Sequence, residues 1–170
     1  DTIPQLGQLS ESRRLAMKAL AHVLPFRTNS YVIEELIDWS DIPADPIFQL
    51  TFPQPGMLEA SDLAKVTALV KAGATSQKIR PVADRIRLKL NPHPAGQLVH
   101  NVPRLDGIPL PGMQHKYRET VLFFPSQGQT CHAYCTFCFR WPQFVGMNEL
   151  KFAMRDTELL VRYLREHPEV

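Results

Sequence analysis

The chain has 170 residues, 44% of them hydrophobic, a composition typical of a folded soluble domain that excludes a disordered tail. Its 19 basic and 17 acidic residues leave a formal charge of +2 and are scattered, so no basic stripe indicates a nucleic-acid partner. No apolar run approaches the roughly 18 residues of a membrane span and the first residues lack a signal pattern, so we expect a cytoplasmic protein that binds neither nucleic acid nor membrane.

Helical patterns dominate the first ninety residues. Four segments are predicted to be helices: residues 10–23, 30–39, 59–72 and 82–90. Gly73 is expected to end the third helix, and Pro81 to open the fourth. The second helix would bury four apolar side chains: Val32, Ile33, Leu36 and Ile37. Four prolines in residues 40–55 predict an extended connection with at most a very short element.

Residues 91–112 contain eight prolines and glycines, which predict a linker or a meandering surface segment. We place the domain boundary near its end. Residues 1–110 are predicted to be a helical region with Pro-rich linkers, and residues 111–170 a second domain.

The second domain is predicted to contain one β/α unit. Residues 120–124 form a short apolar run bounded by Pro125, as expected of a buried strand. Further on, Asp156 can cap a helix over residues 157–166. The three cysteines lie between this strand and this helix, and the predicted fold class is α/β.

Cys131, Cys135 and Cys138, the three cysteines of the chain, have the spacing C-x3-C-x2-C. Disulfide frameworks use even numbers of cysteines that are spread along the chain, so metal or redox chemistry is the leading interpretation. Thiolates are the ligands of iron–sulfur clusters, and a [4Fe–4S] cluster held by three of them keeps one iron open to a substrate or cofactor. The cysteines also follow a strand, at the strand end where β/α barrels place their chemistry.

Two other interpretations of the cysteines stay open. With His132 they could bind a zinc ion that staples a non-catalytic interaction module, although zinc sites more often pair their ligands in two separate halves. They could also be buried, inert thiols that pack as small apolar side chains. The spacing, the aromatic Phe137 before the last cysteine and the preceding strand together favour the cluster.

The pattern C-x3-C-x-aromatic-C is the signature of the radical S-adenosylmethionine (SAM) superfamily, and the residues around it resemble the lysine 2,3-aminomutase family. Five strings carry the resemblance: 45–47 (DPI), 111–117 (PGMQHKY), 131–135 (CHAYC), 156–158 (DTE) and 163–169 (YLREHPE). The similarity is close over residues 111–170. It implies a helical N-terminal region followed by the first β/α unit of a radical SAM partial (β/α) barrel, which the chain truncates.

By this resemblance, Cys131, Cys135 and Cys138 would ligate a [4Fe–4S] cluster whose open iron binds SAM, and Phe137 would line the SAM adenine. Reductive cleavage of SAM, with an external electron donor such as flavodoxin or ferredoxin, would give a 5′-deoxyadenosyl radical. That radical would start a 1,2-amino migration on an amino-acid substrate held by pyridoxal 5′-phosphate (PLP). The activity implied is that of an isomerase.

The resemblance assigns three further residues. Tyr117 matches a tyrosine that contacts the PLP phosphate, and Lys116 stands where the family has arginine. Arg140 matches an arginine that pairs with the substrate carboxylate, a bidentate task for which a guanidinium is suited. Residues 139–144 differ from the family's basic run, which leaves open a radical SAM enzyme of the same lineage with another substrate and without PLP.

A β/α barrel needs several more strand–helix units than the single unit predicted here. In the family, the glycine-rich SAM segment and the PLP lysine both lie further along the chain. We therefore expect these 170 residues to be a fragment of a longer enzyme that is inactive by itself. An isolated β/α unit also leaves a strand edge and an apolar helix face without partners, which predicts homo-oligomers.

Overall fold

The structure, a computed structural model, describes residues 3–90, 96, 98–127, 141–147 and 152–170. These residues form two compact units, and the division between them falls after Leu90. The first unit is helical, whereas the second combines helices with two-stranded antiparallel sheets. The described residues therefore have a mixed helix-and-sheet fold, in which they form no closed barrel. The domain boundary after residue 110 stays a prediction.

The first unit contains four α-helices: α1 (Glu11–Val23), α2 (Pro46–Thr51), α3 (Ala60–Lys71) and α4 (Ser76–Leu90). The predictions for α1 and α3 are confirmed to within one residue. The Ser10 hydroxyl caps α1 by accepting a hydrogen bond from the Arg13 N–H (3.3 Å), and Gly73 follows α3 with a left-handed φ of 66°. α1 packs against both α3 and α4.

Helix α4 begins six residues earlier than predicted. The Ile79 N–H donates to the Thr75 carbonyl (3.1 Å), so the helix is already formed before Pro81, which lies inside it. Proline cannot donate the backbone hydrogen bond at its position. The buried side chains of Ile79, Ala83 and Ile86 lie on one face of α4. Burying Ile79 with the other two offsets the backbone hydrogen bond that is lost at Pro81.

The helix predicted over residues 30–39 is a single π-type turn, Val32–Leu36. The Trp39 indole N–H donates to the Ile33 carbonyl (2.6 Å), which in an α-helix would accept from the N–H of Ile37. The Ile37 N–H donates instead to the Val32 carbonyl (3.2 Å), one residue further back. The wider turn leaves Leu36 exposed, so its predicted burial is wrong, while Val32 and Ile37 are buried as expected.

The connection over residues 40–55 contains one very short helix, α2, as predicted. The Asp45 carboxylate caps it by accepting a hydrogen bond from the Phe48 N–H (2.6 Å), and it also accepts one from the Asp38 N–H in the preceding segment (3.2 Å). The rings of Phe48 and Phe52 stack with their centroids 5.0 Å apart. The apolar cluster under α2 has six buried members: Leu9, Met17, Val32, Ile37, Phe48 and Phe52.

Arg87 joins α4 to the end of α1. Its guanidinium donates to the carbonyl oxygens of Val23 (2.8 Å) and His22 (2.9 Å), which belong to the last turn of α1. The last carbonyls of a helix have no partner within the helix, so a cation that donates to them stabilises this end. Arg87 also pairs with Asp84 (2.7 Å).

The second unit contains strands β1 (Arg104–Leu105), β2 (Ile108–Pro109), β3 (Met113–Tyr117) and β4 (Thr120–Phe123), and helices α5 (Trp141–Phe144) and α6 (Thr157–Glu166). β1 and β2 form a hairpin inside the predicted linker, which therefore contains regular secondary structure. Its two-residue turn, Asp106 and Gly107, has φ values of 51° and 78°, the left-handed pair that favours hairpins.

β4 pairs with β3 in a second antiparallel hairpin, with Met113 opposite Phe123. The predicted strand is confirmed to within one residue, but its predicted burial is wrong, because Leu122 is 47% exposed. An antiparallel hairpin can leave one face open to solvent, whereas a strand inside a parallel sheet is covered on both faces. α6 is confirmed as predicted, with the Asp156 carboxylate accepting from the N–H groups of Glu158 and Leu159.

A single parallel β-bridge, the parallel step, follows β4 and pairs Pro125 with Met154. The Met154 N–H donates to the Phe124 carbonyl (2.9 Å), and the Ser126 N–H donates to the Met154 carbonyl (2.8 Å). Gly112 lies against this step with a φ of 96°, and a Cβ there would overlap the backbone of Ala153 and Met154. The chain therefore leaves β4, crosses over and returns parallel to it before α6, a connection typical of α/β folds. The partial barrel itself stays a prediction.

Candidate functional site

The predicted cluster ligands Cys131, Cys135 and Cys138 lie outside the described residues, as do Phe137 and Arg140. Among the residues that the structure describes, no group of three or more His, Cys, Asp or Glu side chains is placed to hold a metal ion. No helix in this described part is long and apolar enough to cross a membrane. The described elements on either side of the cysteines are the parallel pairing at Pro125 and the helix that begins at Trp141.

The parallel step before the cysteines places residues 126 and 155 at the carboxyl ends of two strand segments that run in the same direction. Open α/β sheets bind their ligands at this edge. An open cleft of about 490 Å³ lies here, within the size range of small-molecule sites, and its described lining comprises Ser126, Gln127, Ala153 and Arg155. Cys131 comes four residues after Gln127 in the chain.

α5 is the first described element after the cysteines. It begins at Trp141, directly after Arg140, and the Trp141 side chain is only 2% exposed. Val145 and Met147, which follow α5, are also buried. Trp141, which falls within residues 139–144, is thus a core side chain where the resemblance predicts a basic run.

Lys116 and Tyr117 lie together at the end of β3, beside the connection to β4. The Lys116 Nζ is 5.3 Å from the centroid of the Tyr117 ring, a cation–π contact, and Tyr117 is 64% exposed. An ammonium group and a phenol hydroxyl that both face solvent can donate hydrogen bonds to an oxyanion. The chemistry of this pair fits a phosphate group, as the resemblance requires.

A cluster of three rings that the sequence analysis missed fixes β3 to α6. The His115 Nε2–H donates to the Arg118 carbonyl (3.2 Å), since a carbonyl can only accept, and the Tyr163 hydroxyl then donates to His115 Nδ1 (2.6 Å). His167 stacks on Tyr163 with the ring centroids 4.0 Å apart. Burial raises the pKa of Tyr163, and the negative charge of Glu169 adds to the shift. Tyr163 therefore stays protonated and can donate its hydrogen bond to His115.

Comparison with known proteins gives two relatives. No family model and no solved structure matches the chain. The chain is 28% identical over 165 residues, 97% of its length, to the protein named "Putative L-lysine 2,3-aminomutase" of Aquifex aeolicus (strain VF5), of which this stretch covers 33%. It is 32% identical over 62 residues, 36% of its length, to "L-lysine 2,3-aminomutase" of Bacillus subtilis (strain 168), of which this covers 12%.

The chain therefore spans about a third of the length of the Aquifex protein. An alignment over 165 of 170 residues includes the three cysteines, which lie far from both ends. This homology supports the resemblance to the lysine 2,3-aminomutase family, whose members are isomerase-type enzymes by name.

Proposed function

We propose that this chain forms the cluster-binding part of a radical SAM enzyme of the lysine 2,3-aminomutase type. The observation that carries the proposal is the homology to the Aquifex protein over 97% of the chain, in a sequence that contains C-x3-C-x2-C directly after a strand. The parallel pairing of Pro125 with Met154 supports it, because β/α barrels carry their chemistry after the carboxyl ends of parallel strands, and Cys131 follows Pro125 by six residues in the chain.

The donor set fits a [4Fe–4S] cluster. Thiolates of Cys131, Cys135 and Cys138 would hold three irons and leave the fourth for SAM, with Phe137 against the adenine. When bound, the cluster and SAM would supply a 5′-deoxyadenosyl radical, and PLP would hold the migrating amino group of the substrate. An external donor such as flavodoxin or ferredoxin would supply the electron for the reductive cleavage of SAM.

The remaining roles belong to residues that bind and orient small molecules. Lys116 and Tyr117 would bind the PLP phosphate, for which their exposed and adjacent donor groups are suited. Arg140 would pair with the carboxylate of the amino-acid substrate. Through these contacts the three side chains would orient the bound molecules and hold the reacting carbon and nitrogen at a fixed distance from the radical source.

Anaerobic reconstitution of the chain with iron and sulfide tests the cluster. We expect a broad absorption band at about 400 nm from thiolate-to-iron charge transfer, which disappears in Cys135→Ala. His132→Ala is the matched control and should keep the band, because the imidazole is not a ligand in this proposal. Stoichiometric zinc without iron uptake, with the zinc lost in His132→Ala, would instead establish the zinc-stapled interaction module.

The buried Trp141 favours a second candidate, a radical SAM enzyme of the same lineage with another substrate and without PLP. Equilibrium dialysis against PLP separates the two candidates. Retention that falls in Lys116→Gln and in Tyr117→Phe, but not in the exposed control Lys71→Gln, supports the aminomutase. Equal and weak retention in all four proteins would favour the second candidate.

We also propose that the chain self-associates through the apolar side chains that its second unit leaves exposed. Leu122 on β4 and Val161 on α6 are each 47% exposed, and Leu164 is 37% exposed. Light scattering behind a sizing column should give a mass above 19.4 kDa that falls in Leu122→Lys. A monomeric mass at high concentration would disprove this proposal.

A further inference from the structure

The cleft at the carboxyl edge of the parallel step has a polar lining that the proposed function does not use. Of its four described lining residues, Ser126, Gln127 and Arg155 are polar, and only Ala153 is apolar. None of them was singled out by the sequence. They come together because the two backbone hydrogen bonds of Met154 bring residue 155 beside residues 126 and 127.

Ser126 supplies the first indication of a ligand. Its hydroxyl is shielded from solvent and has no hydrogen-bond partner among the described residues. A buried hydroxyl without a partner loses its hydration with nothing in return, and each such group in a folded protein calls for an explanation. A serine side chain can turn between staggered rotamers, so an acceptor inside the cleft would satisfy this hydroxyl.

Arg155 supplies the second indication of a ligand. Its side chain is exposed at the cleft and forms no ion pair with a carboxylate of the described residues. The carboxylate next to it in sequence, Asp156, is engaged by the N–H groups of Glu158 (2.9 Å) and Leu159 (3.3 Å) at the start of α6. Arg155 therefore lines the cleft as a cation that no carboxylate of the described residues neutralises.

We propose that this cleft binds the oxyanion of a small organic acid, a carboxylate or a phosphate, through the Arg155 guanidinium and the Ser126 hydroxyl. A planar guanidinium matches the two oxygens of such a group, and the hydroxyl donates a third hydrogen bond. Gln127 lines the same cleft and offers both a donor and an acceptor to the rest of the molecule. The site needs none of the cysteines, so it stands or falls independently of the proposed cluster.

Two-dimensional ¹H–¹⁵N NMR of the chain tests this site with two probes, sodium acetate and sodium phosphate, each at an ionic strength held constant with sodium chloride. We expect saturable shifts of the amides of Ser126, Gln127 and Arg155 with at least one probe. The tighter probe identifies the oxyanion as a carboxylate or a phosphate. Linear shifts that never saturate with either probe would overturn the proposal.

Three variants give the test its specificity. Arg155→Gln should weaken binding by about tenfold or more, the loss expected for one charge-assisted hydrogen bond, whereas Arg165→Gln, an equal change of charge on α6, should not. Ser126→Ala should weaken binding while leaving the melting temperature unchanged or raised, because it removes an unsatisfied hydroxyl. A lowered melting temperature with unchanged affinity would make Ser126 structural and refute its role as a ligand-binding group.

Discussion

Replacing Arg87 by methionine should lower the free energy of unfolding of the helical unit by about 2–4 kcal/mol. The guanidinium donates to the carbonyls of His22 and Val23, and a hydrogen bond from a charged group contributes about 1.5–3 kcal/mol. Methionine keeps most of the packing of the aliphatic stem and avoids the desolvation cost of the buried cation. The net loss of stability is therefore smaller than the sum of the two hydrogen-bond energies. The ion pair with Asp84 adds less than about 1 kcal/mol, because Asp84 is 37% exposed.

Arg80→Met is the matched control. Arg80 pairs with the same Asp84 carboxylate at 3.6 Å, but its side chain is 64% exposed and donates to no carbonyl of α1. Its loss should change the free energy of unfolding by no more than about 0.5 kcal/mol.

Urea denaturation followed by tryptophan fluorescence measures both variants. The chain has two tryptophans, Trp39 in the first unit and Trp141 in the second, so a Trp141→Phe background reports the helical unit alone. A shift of about 2–4 kcal/mol corresponds to a melting temperature about 10–25 °C lower for a unit of this size. Equal shifts in Arg87→Met and Arg80→Met would refute the argument that the hydrogen bonds to α1 supply the stability.

Two further predictions concern the close packing at Gly112 and the ion pairs of Asp62. Gly112→Ala should unfold the second unit at a markedly lower temperature, because the new Cβ meets the backbone of residues 153 and 154. Gly107→Ala, also at a left-handed φ but with open space around the new Cβ, should have a smaller effect in the same thermal scan. Hydrogen bonds from Lys65 (3.0 Å) and Lys89 (3.0 Å) lower the pKa of Asp62, so its stabilising effect is present above about pH 4 and is lost as the pH falls through the lowered folded value. The difference in urea midpoint between the unsubstituted chain and Asp62→Asn should therefore shrink on acidification, and a difference that grows would contradict this sign.

Local signals predicted the fold where a few neighbouring residues decide it. The cap Asp156 marked the start of α6, because its carboxylate accepts from N–H groups two and three residues away. Pro81 misled the prediction for α4, because the burial of Ile79 depends on packing between helices that no local pattern shows. The π-type turn depends on the Trp39 indole, which takes a carbonyl six residues back and shifts the whole turn.

The candidate site likewise has one part that local sequence predicts and one part that depends on tertiary contacts. The spacing of Cys131, Cys135 and Cys138 carries its chemistry on its own, so the sequence was sufficient to propose a cluster. Ser126 and Arg155 are 29 positions apart in sequence, and only the parallel step at Met154 makes them neighbours. His115 and Tyr163, 48 positions apart, meet for a similar tertiary reason. Pairs of this kind have no signature in a single sequence.

The two hydrogen bonds of Met154 have a consequence for whatever occupies the cysteines. They close the stretch from residue 127 to residue 153 into a loop whose two ends meet at a single strand edge. Bringing together the ends of a free loop of this length would cost about 3 kcal/mol in chain entropy. Folding of the second unit meets that cost in advance, so a group that binds between residues 127 and 153 does not have to bring these two ends together.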